Sequence, residues 1–252
     1  MIPKIIHYCW LSGEPIPSNL QECMKSWKAK LSEYEFILWN FDRFDINSSL
    51  WVKQAFENKK YAFAADYIRL YAVYKYGGFY MDMDIEVLKS FDDLLDKDLA
   101  LAYENDNGGI EAGCFGATKN NPIIKKCLEY YTNRSFIKPD GNFDMLVLPQ
   151  IMAKYCNNAG LDIKDKFFFT CKSYQTGIVT TKSYSYTIHH FAGSWQNIEV
   201  KKRHNFTIAM QNKYGEGFVS KNAIRFYNFF SFIREIGLSK TLKNYKDRLL
   251  HR

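Results

Sequence analysis

The 252-residue chain contains no run of about 18 uncharged apolar residues, so no segment reads as a membrane-spanning helix. Its six cysteines, at positions 9, 23, 114, 127, 156 and 171, include no pair at the two- to four-residue spacing of a zinc or dithiol site. Scattered thiols in a chain of this length read as reduced and mostly buried, which predicts a cytosolic protein. The opening MIPKIIHYCW carries Lys4 and His7 within a short apolar run, unlike a secretory signal. There is no zinc-finger spacing, RNP-like segment or long basic run, and nucleic acid is not an expected partner. No internal repeat, low-complexity segment or clear linker divides the chain, which suits one compact domain, or one domain with a small appendage.

What the chain does have is apolar bulk, rings and positive charge. Hydrophobic residues make up 47%, enough for a full core, and aromatics reach 17%. Flat apolar rings serve both core packing and pockets for bases and sugars, so composition alone does not choose between them. A formal charge of +7 favours anionic company, such as a phosphorylated substrate or an anionic membrane surface, although plain solvated charge is the alternative.

Period and punctuation predict alternating strands and helices. Lys4–Trp10 and Tyr34–Trp39 read as strands, with helices over residues 19–30 and 49–58. Tyr61–Tyr76 is the strongest predicted helix, stopped by Gly77–Gly78. Phe79–Val87, Leu99–Tyr103, Ile110–Ala117, Phe167–Thr170 and Tyr184–His190 read as further strands. Helices are expected over Asn121–Tyr131 and Phe143–Tyr155, and one or two amphipathic helices from about Asn222 onward. The pattern predicts an α/β fold with a mainly parallel central sheet flanked by helices.

The chemistry concentrates in GGFYMDMDIEV, residues 77–87. If these residues form one strand, alternation sets Tyr80, Asp82, Asp84 and Glu86 on one face. A row of acids beside a glycine turn calls for a cation, and a divalent metal bridging phosphate oxygens would serve. The competing reading is a solvated edge strand. The preceding helix is almost wholly apolar yet carries Asp66 and Arg69, three apart on one face. They form either a structural ion pair or a donor-acceptor pair aimed into the same cleft as the acids. Trp10 is either core or a pocket wall where the first strand opens into a Pro/Gly loop. His189 and His190 follow a strand and point in opposite directions, so one of them could complete a metal shell. Glu111 could line the acceptor side, and Asp144 and Gln150 could do the same, cap a helix or sit on the surface.

AADYIRLYAVYKYGGFYMDMDIEVLKSFDDLL, with IPKIIHYCW before it and YTIHHFAGSW after it, resembles the DXD-containing sugar transferases of glycosyltransferase family 32. That family includes capsular-polysaccharide enzymes and yeast-type mannosyltransferases, and it is related to the catalytic core of the clostridial glucosylating toxins. The resemblance runs from the first residues to about Trp195. It implies a GT-A-type nucleotide-diphospho-sugar transferase fold and a retaining transfer that depends on Mn²⁺, with Mg²⁺ possible. It implies a UDP-sugar as donor and a carbohydrate or glycolipid acceptor, in surface polysaccharide synthesis. It implies that Asp84 binds metal directly and that Asp82 touches the ribose and reaches the metal. Asp66 and Arg69 would hold the donor sugar, Tyr80 would line its pocket and Trp10 would stack on the base. His189 (or His190) would join the metal shell, and Ser194 and Trp195 would close over the diphosphate.

The alternatives are a nucleotide-sugar hydrolase, a protein-directed transferase or a non-catalytic sugar-nucleotide-binding module. The expected organisation is a GT-A-like catalytic domain over residues 1–200 and a basic amphipathic helical extension over 201–252. That extension would pack on the domain or meet an anionic membrane at the inner face of the cell membrane, leaving the enzyme cytoplasmic and peripheral. The oligomeric state is not encoded in any motif.

Overall fold

The computed structural model describes residues 1–193, 198–215, 217–238 and 240–241. These residues form two compact units. The first comprises Met1–Ser173 and Val179–Ala192. The second comprises Tyr174–Ile178 and the described part of Gly193–Arg252.

The first unit is built on a six-stranded sheet. In chain order its elements are β1 (Ile5–Cys9), α1 (Ser18–Lys30), β2 (Glu35–Trp39), α2 (Leu50–Glu57), α3 (Tyr61–Tyr76), β3 (Gly78–Met81), β4 (Ile85–Val87), β5 (Leu99–Ala102), β6 (Cys114–Ala117), α4 (Pro122–Glu129), α5 (Leu148–Cys156), β7 (Ile163–Lys164) and β8 (Thr187–His189). The sheet runs β2-β1-β3-β6-β5-β7, and β4 and β8 form a separate two-stranded ladder. β1 is parallel to β2 and β3, β5 is parallel to β7, and β6 is antiparallel to both β3 and β5. The result is a mixed central sheet flanked by helices, the arrangement of a GT-A-type Rossmann-like fold.

Two apolar cores cover the sheet. One gathers α2, α3, α4 and α5 through Trp51, Val52, Phe63, Ile68, Leu70, Ile124 and Met152. The other gathers α1 and the β4–β8 side through Trp27, Phe79, Met81, Ile85, Phe91 and Phe169. The buried indoles also satisfy their N–H groups, as buried polar atoms must. Trp27 donates to the Ile85 carbonyl at 2.6 Å, Trp51 to the Phe63 carbonyl at 2.8 Å, and Trp39 to His7 Nδ1 at 3.1 Å. Much of the aromatic content is therefore structural. All six cysteines are free thiols, five of them buried.

α3 is buried along most of its length, which explains its nearly continuous apolar sequence. It ends because Gly77 and Gly78 both take positive φ, 70° and 103°. A Cβ on Gly78 would lie 2.6 Å from the Ile5 carbonyl oxygen, so the chain turns into β3 pressed against β1.

Several expected elements differ. Phe79–Val87 is not one strand: β3 stops at Met81, Asp82–Asp84 make a turn, and Ile85–Val87 leave for a different ladder. Asp82 N–H donates to the Gly113 carbonyl, which closes the β3 ladder, and Ile85 N–H donates to the Asp82 carbonyl within the turn. Only Cys114–Ala117 of the expected Ile110–Ala117 strand is regular, because the Gly113 N–H is taken by the Glu111 carboxylate at 2.6 Å. Phe167–Thr170 is a turn. The helix expected from Phe143 starts at Leu148, with Pro149 in its first turn, where the missing N–H costs nothing.

The second unit contains α6 (Ile198–Tyr214) and α7 (Phe218–Ile236). α6 lies almost wholly in the 201–252 extension expected to be helical, although the sequence places individual helices only from about Asn222, since the apolar residues of α6 fall on no single stripe. The two helices pair antiparallel. The Phe206 and Tyr227 rings stack at 4.0 Å, and Arg203 reaches Ser231 at 3.0 Å and Glu235 at 2.7 Å.

Candidate metal and donor-sugar site

Three segments of the first unit converge at the Asp82–Asp84 turn. β3 delivers Tyr80 and Asp82, and α3 delivers Asp66 and Arg69. β8 pairs with β4 so that His189 stands opposite Ile85. The His190 N–H then donates to the Asp84 carbonyl at 3.0 Å, and the Ala192 N–H donates to Asp84 Oδ2 at 2.7 Å. One ligand atom from each of Asp82, Asp84 and His189 falls within 4.8 Å of the others. Two carboxylates and an imidazole on one side of a turn are a donor set that a divalent ion can share.

The spacing is preserved by a glycine. A Cβ on Gly113 would stand 2.8 Å from His189 Cε1, 2.9 Å from Glu111 Oε1 and 3.0 Å from Asp82 Oδ2. Any side chain there would crowd His189, Glu111 and Asp82.

The pair on α3 is joined to Asp82. Arg69 Nη2 lies 3.3 Å from Asp66 Oδ1, and Arg69 Nη1 lies 3.3 Å from Asp82 Oδ2. Nη1 also donates to the Ala112 carbonyl at 2.7 Å, and the guanidinium sits 4.6 Å from the centre of the Tyr80 ring. Tyr80 in turn donates its phenolic proton to Asp82 Oδ1 at 2.7 Å. Arg69 is buried, yet Asp82 and the other negative neighbours outweigh that burial and hold it firmly charged. Burial pushes the Asp66 carboxyl up to about 6 despite the opposing pull of Arg69. The array is therefore tied by charge along Asp66, Arg69, Asp82 and Tyr80.

The two histidines separate clearly. His189 is buried, with Nε2 3.5 Å from Asp84 Oδ1 and Nδ1 3.1 Å from both Glu111 oxygens. Burial opposes its charge, but Glu111 and Asp84 outweigh burial and raise the imidazole well above its ordinary value. Burial likewise opposes ionisation of Asp84, but His189 and the Ala192 N–H hold that carboxyl down at about 2. His190 points the other way, to Glu86 at 2.8 Å. It borders a cleft of about 610 Å³ that Asn19, Glu22, Glu86, Lys172 and Asp84 also line.

Glu111 does not line an acceptor surface: it is fully buried behind His189. Its carboxylate takes hydrogen bonds from Thr170 Oγ1 at 2.6 Å and from the Gly113 N–H, leaving its remaining capacity for His189. A carboxylate on the far nitrogen of a candidate ligand histidine fixes which nitrogen faces the ion. Behind it, burial and Glu111 push the Glu104 carboxyl up to about 7. Thr170, Gly113 and Glu104 were not singled out by sequence. Their only signal there is position between strands, which shows neighbours along the chain and not across it.

The remaining candidates are dispersed. Trp10 is half-buried at the end of β1, its indole N–H donating to the Glu14 carbonyl at 2.6 Å. Asp144 pairs with Arg134 at 3.0 Å, and Gln150 is exposed on α5. Ser194 and Trp195 lie outside the described residues.

Comparison with known proteins gives this geometry a context. Inositol phosphoceramide mannosyltransferase 3 of Schizosaccharomyces pombe is 31% identical over 127 residues, which is 49% of this chain and 35% of that protein. Mannosyl phosphorylinositol ceramide synthase SUR1 of Saccharomyces cerevisiae is 30% identical over 139 residues, 51% of this chain and 34% of that one. An uncharacterized glycosyltransferase of Acanthamoeba polyphaga mimivirus is 34% identical over 142 residues, 49% of this chain and 53% of the viral protein. The chain thus spans about half or less of the length of these relatives. Among solved structures, the PaToxG glycosyltransferase aligns with a TM-score of 0.47 and 20% identity, over 61% of this chain and 67% of that one. Residues 17–101, which hold α3 and the Asp82–Asp84 turn, match the family described as the glycosyltransferase sugar-binding region containing a DXD motif.

Proposed function

We propose that the first unit is a retaining, metal-dependent glycosyltransferase domain. It moves a sugar from a nucleoside-diphosphate sugar, with UDP-sugars favoured, to a carbohydrate or lipid-linked oligosaccharide in surface polysaccharide synthesis. The observation that carries this reading is the convergence of Asp82, Asp84 and His189 beside the buried Asp66–Arg69 pair. The names of the fungal relatives refer to inositol phosphoceramide, a lipid, which supports an acceptor of the lipid-linked class.

In this reading Asp82, Asp84 and His189 hold Mn²⁺, with Mg²⁺ the weaker choice because imidazole is a softer donor than oxygen. The bound ion supplies neutralisation of the diphosphate charge that grows as the sugar leaves. Glu111 keeps His189 turned toward Asp84. Arg69, held rigid by Asp66, Asp82 and the Ala112 carbonyl, presents the edge of its fork to donor-sugar hydroxyls, and Asp66 accepts from them. Tyr80 orients Asp82 through its phenolic proton. Trp10 offers a face to the base, and Ser194 and Trp195 close over the leaving diphosphate. The site holds an acceptor hydroxyl near the anomeric carbon and excludes water, and no protein nucleophile is assigned. The enzyme works in the cytoplasm, peripheral to the inner membrane face.

The test is a panel of nucleotide sugars with Mn²⁺, followed by release of free nucleotide with and without oligosaccharide acceptors. Release from one donor, increased by acceptor and absent with chelator, is the expected result. Donor binding without any turnover would favour a binding module instead.

A further inference from the structure

α7 is built inside out. It buries Ser220 and Ser231, 0% and 4% exposed, and leaves Phe218, Phe226 and Phe230 at 83%, 66% and 56%. Val219 is 58% exposed as well. The serines are satisfied inside: Ser231 exchanges hydrogen bonds with Arg203 and Glu199, and Ser220 donates to the Gly215 carbonyl. An ordinary surface helix does the reverse and turns its apolar stripe inward.

The exposed stripe has a definite layout. Phe226 and Phe230 are four residues apart and share one face with Val219. Exposed Arg225 flanks that face on one side, and exposed Arg234 flanks it on the other. Charge is distributed to match. Residues 193–252 hold 12 of the 34 lysines and arginines but only 4 of the 27 acids, a formal +8, so the rest of the chain carries −1. The positive charge of the protein is thus concentrated in the stretch that also exposes phenylalanine. Among the described residues no helix is long and apolar enough to cross a membrane.

We infer that α7 lies on an anionic lipid surface, its phenylalanines in the headgroup–acyl boundary and its cations against the headgroups. Apolar burial and basic flanks each favour that surface, and neither depends on a specific lipid. A second copy of the chain would bring the same positive charge against itself. A nucleic acid would meet the cations but would offer nothing to the aliphatic Val219 of the stripe.

The experiment uses the full chain and sedimentation with vesicles of phosphatidylcholine, with and without phosphatidylglycerol. Binding to the anionic vesicles alone, weakened by salt, is expected. Phe226→Ser with Phe230→Ser should lower that binding about tenfold or more. The double variant should keep the wild-type thermal melt and wild-type nucleotide release in solution. A single Phe226→Trp variant provides a second readout, a blue shift of its emission on anionic vesicles. Nucleotide release is scored separately, so failure of the membrane inference and failure of the transferase reading are distinguishable. Four results would overturn the inference: no vesicle binding, equal binding by the double variant, an unshifted emission spectrum from Phe226→Trp, or capture of a single-stranded oligonucleotide or a second copy in place of vesicles.

Discussion

Helix α3 carries two charges inside, and helix α7 carries phenylalanines outside. Both depart from the rule that apolar residues face in and charges face out, in opposite senses. In α3 the departure is compensated within the fold: Arg69 has Asp66, Asp82 and the Ala112 carbonyl, so no charge is left alone. In α7 the rings of Phe218, Phe226 and Phe230 stay largely uncovered by the described residues. A departure with internal partners points to a site facing a small polar ligand, and one without points to an external surface. The neighbouring segments agree, since α3 runs directly into the Asp82–Asp84 turn and α7 lies in the most basic stretch of the sequence.

The comparison can be broken most severely on the α3 side. Asp84→Ala removes a candidate metal ligand that also anchors Ala192 and faces His189. Metal-dependent nucleotide release should fall by at least about 100-fold. A lower melt should accompany it, because His189 and the Ala192 N–H lose a partner, and retained release in the folded variant would remove Asp84 from the site.

Arg69→Ala should cost about 3 to 5 kcal/mol of stability, because it strands Asp66 and Asp82 in a buried setting. Asp66→Asn keeps the shape and should spare the fold, yet slow sugar transfer far more than it weakens binding of the bare nucleoside diphosphate. Calorimetry with the diphosphate and denaturant unfolding separate these outcomes. Equal losses of diphosphate affinity and transfer in Asp66→Asn would argue that the pair touches diphosphate or only holds the fold.

Glu111→Gln is a finer cut. The amide cannot hold the His189 ring as the carboxylate does, and Mn²⁺ affinity should drop about 10- to 100-fold while the melt moves little. Unchanged affinity in a folded variant would make Glu111 structural only.

The effect least tied to the site concerns a histidine away from the metal cluster. His7 is fully buried, accepts from Trp39 at Nδ1 and donates from Nε2 to the Gly77 carbonyl, so it is neutral. Burial holds it down at about 4, against 6.5 for an ordinary imidazole. Between those values the unfolded chain binds the extra proton and the folded one does not. Stability therefore falls as the pH drops below 6.5, by about 1.4 kcal/mol per pH unit and about 3 kcal/mol in all. Denaturant midpoints from pH 7 to 4.5 should show this slope in the wild type and a shallower one in His7→Gln.

Sequence revealed α3 to the residue, because its apolar run is long and two glycines stop it. It also marked Asp66, Arg69, Asp82 and Asp84, which lie close together in the chain and sit where spacing can be read. It misjudged how the acids are presented. Alternation along a single strand would have aligned Tyr80, Asp82, Asp84 and Glu86, but β3 ends at Met81 and the acids occupy a turn. Strand pairing decided that, and pairing involves β6 and β8, far away in sequence. For the same reason spacing left the choice between His189 and His190 open, whereas the register of β8 on β4 aims His189 at Asp84. Glu111 reads in the sequence only as a possible lining residue, and its burial behind His189 was not legible because its partners, Thr170 and His189, are distant residues. α6 falls in the extension read as helical, but its bounds could not be read because its apolar positions have no clear period.

The most direct test of the central claim is a Mn²⁺ titration by calorimetry in the presence of saturating UDP, on wild type and on Asp84→Asn. The predicted result is one Mn²⁺ per chain in the wild type and an affinity at least about tenfold weaker in the variant. Equal Mn²⁺ affinity in the two proteins, both folded, would contradict a metal held by Asp82, Asp84 and His189.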